Sequence, residues 1–292
     1  MRSNHKIYIH KLCLSAILLT AIFIQSCVKD VENPPQSEPK LVVTSFITPN
    51  DSIKVRVTKS TPINYNTPTN GWDTNIYPHV TDAQVFIQNT SLNNETTIPY
   101  NTEEGMFILA PQDFSIEAGE EYMLRVSANG FETVTAITKL PNNAPDVLWY
   151  NIASSENEYE TVWDITGSIQ DFSDQTNYYF VNIAIKSAYF DSWADTTYIS
   201  TYAFRDYFND AGKDGEEIGF RTDGYSSSDD AEIIIHVQST DYNYYQYHKM
   251  LDYLDYENPF SEPILLHSNV DGGLGIFASY LSTKIHETDA GD

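Results

Sequence analysis

Apolar and polar side chains alternate in short runs from Lys40 onward, the period of two that belongs to strands with one buried face. Leu41 to Ile47, Ile53-Val55-Val57, Val85 with Ile87, Met106 to Leu109, Tyr122-Leu124-Val126 and Val134 to Thr138 each read as such a strand. Pro49-Asn50-Asp51, Asn93-Asn94, Glu117-Ala118-Gly119-Glu120 and Asn129-Gly130 supply the turns between them, because these residue types accept the backbone angles a reversal needs. About seven short strands in ~100 residues predict an immunoglobulin- or fibronectin-like β-sandwich. A long polar insertion, Thr61 to Pro78, breaks the alternation and carries Tyr65, Trp72 and Tyr77. A loop of this length is usually functional or unstructured, so its aromatics read either as a partner-contact tip or as part of a floppy hairpin.

Leu140-Pro141-Asn142-Asn143-Ala144-Pro145-Asp146 interrupts the pattern and marks a boundary. Beyond it Val147 to Ala153, Val162 to Ile169, Tyr178 to Ile185, Tyr198 to Phe204, Ala231 to Val237, Ile264 to Leu266 and Ile276 to Tyr280 read as further strands. The one helical stretch is Asp241 to Tyr256, capped by Thr240 or Asp241, with Tyr244, Tyr247, Leu251 and Leu254 on a single face. That face is expected to be core, leaving Tyr242, Tyr245, Tyr253 and Tyr256 free to contact something else. The expected fold is all-β: a sandwich over 40–140, then a second β-rich domain with one short helix over 141–292.

The first 26 residues have a different pattern. Arg2, Lys6 and Lys11 precede an apolar run of 13 residues, Leu12 to Ile24, and Ile24-Gln25-Ser26-Cys27 resembles a bacterial lipobox. The run is short of the ~20 residues a spanning helix needs, which fits a cleaved lipoprotein leader over 1–26 better than an uncleaved anchor. Cys27 is then the lipidation site, the carrier of a palmitate-like acyl chain. Residues 27–39, with Pro34, Pro35, Pro39 and several charges, form a flexible tether. Within it Lys29-Asp30-Val31-Glu32 resembles a surface-export signal, and the expected location is the bacterial outer membrane, lipid-anchored and surface-exposed.

Charge narrows the partners. The leader holds three of the 16 basic side chains and none of the 41 acidic ones, leaving a mature chain of 13 against 41, a formal charge of −28. Such a surface repels phosphate backbones, so nucleic acid is not an expected partner. It also disfavours anionic lipid, which leaves the membrane contact to the N-terminal lipid anchor. Cys13 lies in the leader and Cys27 would be acylated, so no disulfide or thiolate chemistry remains.

The candidate chemistry is sparse. Gly273-x-Gly275-x-x-Ala278 matches a relaxed dinucleotide fingerprint, but strand-like residues follow where a phosphate cradle needs a helix. A glycine turn leading into the last strand is the preferred reading. Asp206, Asp210 and Asp214 form a weak calcium alternative, although the twelfth position counted from Asp210 is Arg221, where an EF-hand needs an acid. An acidic hairpin tip is the competing reading. His79, His236, His248, His267 and His286 show no zinc spacing. The expectation is a non-enzyme without cofactor.

Several segments carry a family resemblance. They are Lys40-Leu41-Val42-Val43, Val80 to Val85, Gly119 to Val126, Asn177-Tyr178-Tyr179-Phe180, Asp206 to Gly215 and Ser239 to Tyr247. Two more are the most distinctive: Asn258-Pro259-Phe260-Ser261-Glu262-Pro263, and Ser268-Asn269-Val270-Asp271-Gly272-Gly273-Leu274-Gly275-Ile276-Phe277. With them the chain resembles the DUF4249 family of Bacteroidetes lipoproteins. The resemblance implies an immunoglobulin-like N-terminal portion, a β-rich C-terminal portion and association with TonB-dependent outer-membrane receptors, with no agreed catalytic residues. The expected function is an accessory or ligand-capturing subunit of such a receptor, its ligand unspecified. The alternatives are a structural or adhesive surface lipoprotein and, third, an uncharacterised hydrolase.

Overall fold

Strands form where the alternation lets one face pack inward. The computed structural model describes residues 38–61, 78–157, 160–191, 196–226, 231–253 and 266–287. From Pro39 onward these residues belong to one compact unit. In chain order the first half runs β1 (Leu41–Ile47), β2 (Ile53–Lys59), β3 (Gln84–Asn89), β4 (Asn94–Ile98), β5 (Tyr100–Asn101), β6 (Met106–Leu109), β7 (Glu121–Ser127) and β8 (Val134–Lys139). The second runs β9 (Asp146–Glu156), β10 (Thr161–Gln170), β11 (Tyr178–Asp191), β12 (Thr196–Asn209), β13 (Glu217–Ser226), β14 (Ala231–Thr240), α1 (Tyr242–Asp252), β15 (Val270–Asp271) and β16 (Leu274–Glu287). The protein is all-β with a single short helix among the described residues.

Three sheets result: an eight-stranded one ordered β12-β11-β14-β16-β1-β2-β6-β5, a five-stranded one ordered β15-β8-β7-β3-β4, and a three-stranded one ordered β13-β10-β9. Leu41, Val43, Val55, Val57 and Phe107 share one buried cluster with Val85, Ile87, Tyr122, Leu124, Val126 and Val134, so the five-stranded sheet packs on the β1 end of the large one. Burying each such side chain is worth about 1.5–3 kcal/mol. Tyr122 closes this sandwich as a tyrosine corner does. Its hydroxyl accepts from Glu117 N at 2.8 Å and donates to Ser115 O at 3.4 Å, and burial raises its pKa. The three-stranded sheet packs on the other end, where Ile165, Ile169, Ile218 and Phe220 meet Val181, Ile183, Ile185, Ile233 and Val237.

β16 belongs to both cores. Its first half runs parallel to β1, from Val42↔Leu274 to Ile47↔Ser279, and its second half antiparallel to β14, from Thr240↔Tyr280 to Ile234↔Glu287. Because side chains alternate along a strand, Phe277 enters the sandwich core while Ile276 and Ala278 on the opposite face meet Phe180 and Tyr244. Strands from both sides of residues 140–141 therefore share one sheet. The most distinctive sequence motif builds this junction. Asn269 Nδ2 donates to Ile137 O at 3.0 Å and to Phe277 O at 2.7 Å, and its Oδ1 accepts from Phe277 N at 3.0 Å. The glycines after it form the β15–β16 turn, and a strand rather than a helix follows, so the dinucleotide reading has no structural basis.

Helix α1 starts at Asp241, whose Oδ1 accepts from Tyr244 N at 2.8 Å, and ends at Asp252; residues 254–265 lie outside the described set. Tyr245, expected to be free, is 4 % exposed, because Tyr178 of β11 packs on its ring at 5.1 Å and Lys249 Nζ donates to its hydroxyl at 2.9 Å.

Candidate functional site

A cleft of about 360 Å³ opens where the end of β8, the 172–178 loop and the start of α1 converge. Its floor is polar and already paired. Thr138 Oγ1 donates to Asp241 Oδ2 at 2.6 Å and lies 2.8 Å from Ser279 Oγ. Asn243 Nδ2 donates to the same carboxylate oxygen at 3.2 Å. Burial raises the pKa of Asp241, opposed by Thr138 and the Tyr244 N–H, so this carboxylate caps the helix and is not presented to a ligand. The rim is freer. Tyr242, 47 % exposed, meets Tyr178 and His267 edge-on at 5.4 and 5.7 Å. His267 Nε2 lies 2.9 Å from Asn243 Oδ1, and burial lowers the pKa of that imidazole. An exposed tyrosine ring beside half-buried rings and amide groups suits holding a polar ligand by its apolar faces.

Beside the cleft, Asp171, Asp210 and Asp214 each place a carboxylate oxygen within 4.8 Å of the other two, and the first two residues are buried. The sequence pattern brought forward Asp206, Asp210 and Asp214. The structure keeps Asp206 in β12, where burial raises its pKa, and sets Asp171 beside the other two. Nothing local announces Asp171, which precedes Asp210 by a whole β-hairpin.

The described hydrogen bonds occupy much of this trio. Asp171 accepts from Tyr179 Oη at 2.6 Å, Gly215 N at 2.8 Å and Asn177 Nδ2 at 3.2 Å, and Asp210 Oδ2 accepts from Asn177 N at 2.8 Å. They clamp the 171–177 loop, one wall of the cleft, to the 210–216 loop. Among the described residues these three are placed to hold a hard cation, supplying three of the roughly six to eight oxygens calcium takes. Asp171→Ala leaves the Tyr179 hydroxyl and the Gly215 N–H without an acceptor. At about 1–3 kcal/mol for a buried group left unpaired, the variant is expected to lose roughly 3 kcal/mol in urea unfolding.

Cys27, Tyr65, Trp72 and Tyr77 lie outside the described residues. The flanks of the aromatic insertion are described: Lys59 N donates to Pro78 O at 3.2 Å and Val80 N to Val57 O at 3.0 Å, so the insertion leaves from the end of β2 and returns beside it.

Fold and site together define an all-β protein of packed sheets, with a polar, aromatic-rimmed cleft against its single described helix. The chain belongs to the family described as Domain of unknown function (DUF4249), whose profile matches residues 29–286. No curated protein matches the chain.

Proposed function

We propose that this chain is a lipid-anchored bacterial outer-membrane protein acting as an accessory or ligand-capturing subunit of a TonB-dependent receptor. The observation that carries the reading is the order of segments at its N-terminus: a basic start, an apolar run over 12–24, Ser26-Cys27, and a proline-bearing tether. Directly behind the tether, Leu41 enters β1, an interior strand of the eight-stranded sheet. An acyl anchor at Cys27 would thus pull on the centre of the fold, and an acidic body would stand off an anionic bilayer on its tether. The cleft rim of Tyr178, Tyr242 and Asn243 supports capture over turnover.

The test is Cys27→Ser, followed by growth on a clickable fatty acid. Wild-type protein is expected to carry label and to co-purify with a TonB-dependent receptor from detergent extract. The variant is expected to carry none, since each buried CH₂ of an acyl chain contributes ~0.8 kcal/mol of membrane affinity that serine cannot supply. Equal labelling of both would remove the anchor, and labelled protein that never brings down a receptor would remove the uptake role.

A further inference from the structure

β9 is the outer strand of the three-stranded sheet, paired on one side with β10 and with no backbone hydrogen bond on its other side among the described residues. An open strand edge is a template for another chain, and proteins blunt such edges with lysine, proline or brevity. β9 uses none of these: it runs 11 residues, Asp-Val-Leu-Trp-Tyr-Asn-Ile-Ala-Ser-Ser-Glu, without lysine, arginine or proline. Leu148, Trp149 and Tyr150 are 47, 49 and 41 % exposed and adjacent. They border a shallow groove of about 530 Å³ whose far wall is Thr283 and Ile285 of β16. Trp149 is held in place, its Nε1 donating to Glu217 Oε1 at 3.1 Å, and Tyr150 stands edge-on to His286 at 5.7 Å.

We infer that the open edge of β9 is a docking strand that takes an extended, cationic segment of a partner protein as an added strand. Backbone pairing supplies affinity in this mode and the side chains along the groove supply selectivity. Charge selects the occupant. Asp146 and Glu156 stand at the two ends of β9 and Glu217 beside Trp149, and none of the three has an ion-pair partner among the described residues. On a chain of net charge −25, this edge favours lysine and arginine on the incoming strand. A second copy is disfavoured. Antiparallel pairing of two β9 strands about Asn151 sets Asp146 opposite the Glu156 of the other copy, and like charges facing across a ladder are destabilising.

The test places photo-crosslinking benzoylphenylalanine at exposed Asn151 in the full-length protein in its native membrane, with a control probe at Leu92, and maps the products by mass spectrometry. The expected product at Asn151, absent at Leu92, joins this chain to one segment of another protein richer in Lys and Arg than in Asp and Glu. Trp149→Lys in the same chain should cut that product about tenfold, the equivalent of ~1.4 kcal/mol, with unchanged circular dichroism of the purified variant. Glu217→Lys, a fully exposed change, should weaken it in the same direction if Trp149→Lys proves unstable. A product joining two copies of this chain, a mapped segment that is neutral or acidic, or no product beyond the Leu92 control would overturn the inference.

Discussion

Gly275→Ala is expected to cost more stability than alanine at any other glycine among the described residues. Gly275 sits in β16 directly opposite Val43 of β1, with φ +116°, and a Cβ built there would lie 1.9 Å from the Val43 carbonyl oxygen. The obstacle is backbone, so no rotamer change relieves it. Either β16 lifts away from β1, opening the parallel ladder and withdrawing Phe277 and Leu281 from the sandwich core, or the residue is forced into strained angles at about 1–3 kcal/mol. Because alanine at that φ stays strained even where β16 has lifted, the two costs add and should approach or exceed the roughly 4–5 kcal/mol that marks the exceptional point mutant. The outcome is read by urea unfolding, or by loss of soluble protein. Gly130→Ala is the control: φ there is also positive, +82°, but nothing lies within 4 Å of the added methyl. It should lose only about 1 kcal/mol. Equal losses at the two sites would show that backbone angle alone, and not the close approach of β1, makes Gly275 necessary.

The second large effect depends on pH. His248, in α1 itself, packs among Phe46, Phe180, Tyr244 and Tyr247, with ring centroids 5.1, 5.6, 4.3 and 5.4 Å away. Neither of its ring nitrogens has a hydrogen-bond partner among the described residues. Burial holds its pKa down to about 4, helped by Arg205 and opposed by Asp252. As pH falls from neutrality the unfolded chain, with an ordinary imidazole near 6.5, takes up the proton first. Stability contributed by the neutral ring is therefore present above pH 6.5 and is lost as pH drops to about 4. At ~1.36 kcal/mol per pKa unit the loss amounts to about 3 kcal/mol. His248→Phe keeps the aromatic shape and removes the titration, so the wild type minus variant difference in unfolding free energy should fall by about that amount between pH 7 and pH 4. At pH 7 the variant should equal or exceed wild type, since unpaired buried polar atoms are lost. Parallel pH profiles would mean that His248 is solvated or paired in the protein.

Much of the fold was legible because strand formation is local. Leu41 to Ile47, Tyr122 to Val126 and Val134 to Thr138 announce themselves through alternation, and the structure buries every second side chain there. β13 was not legible, although its inward positions alternate without a break. Those positions are Ile218, Phe220, Thr222, Gly224 and Ser226, of which only two are hydrophobic, so burial is not visible in residue type. β4 was missed for the opposite reason, four of its five residues being exposed or half-buried polar ones. The helix was placed by its Tyr and Leu spacing, yet Tyr245 lies off that face and is buried because β11 comes up beside it, a contact the helix's own period does not contain.

The candidate sites divide along the same line. The run of glycines after Asn269 was readable as a turn from residue type alone, and so was the acidity of the 206–214 stretch. That Asp171 completes the cluster, that the cleft has Thr138 beneath Asp241, and that β9 has one unpaired edge among the described residues are properties of which strands lie next to which. By itself the sequence determined the all-β class and most strand periods, set by neighbours within a few residues, fixed the acidic charge by composition, and narrowed the cap of α1 to Thr240 or Asp241. Only the tertiary structure decided that β16 pairs with β1 across more than two hundred residues and thereby joins both cores. Pairing between distant strands is chosen by the total apolar surface it buries and the hydrogen bonds it completes, quantities that no local window of the chain contains.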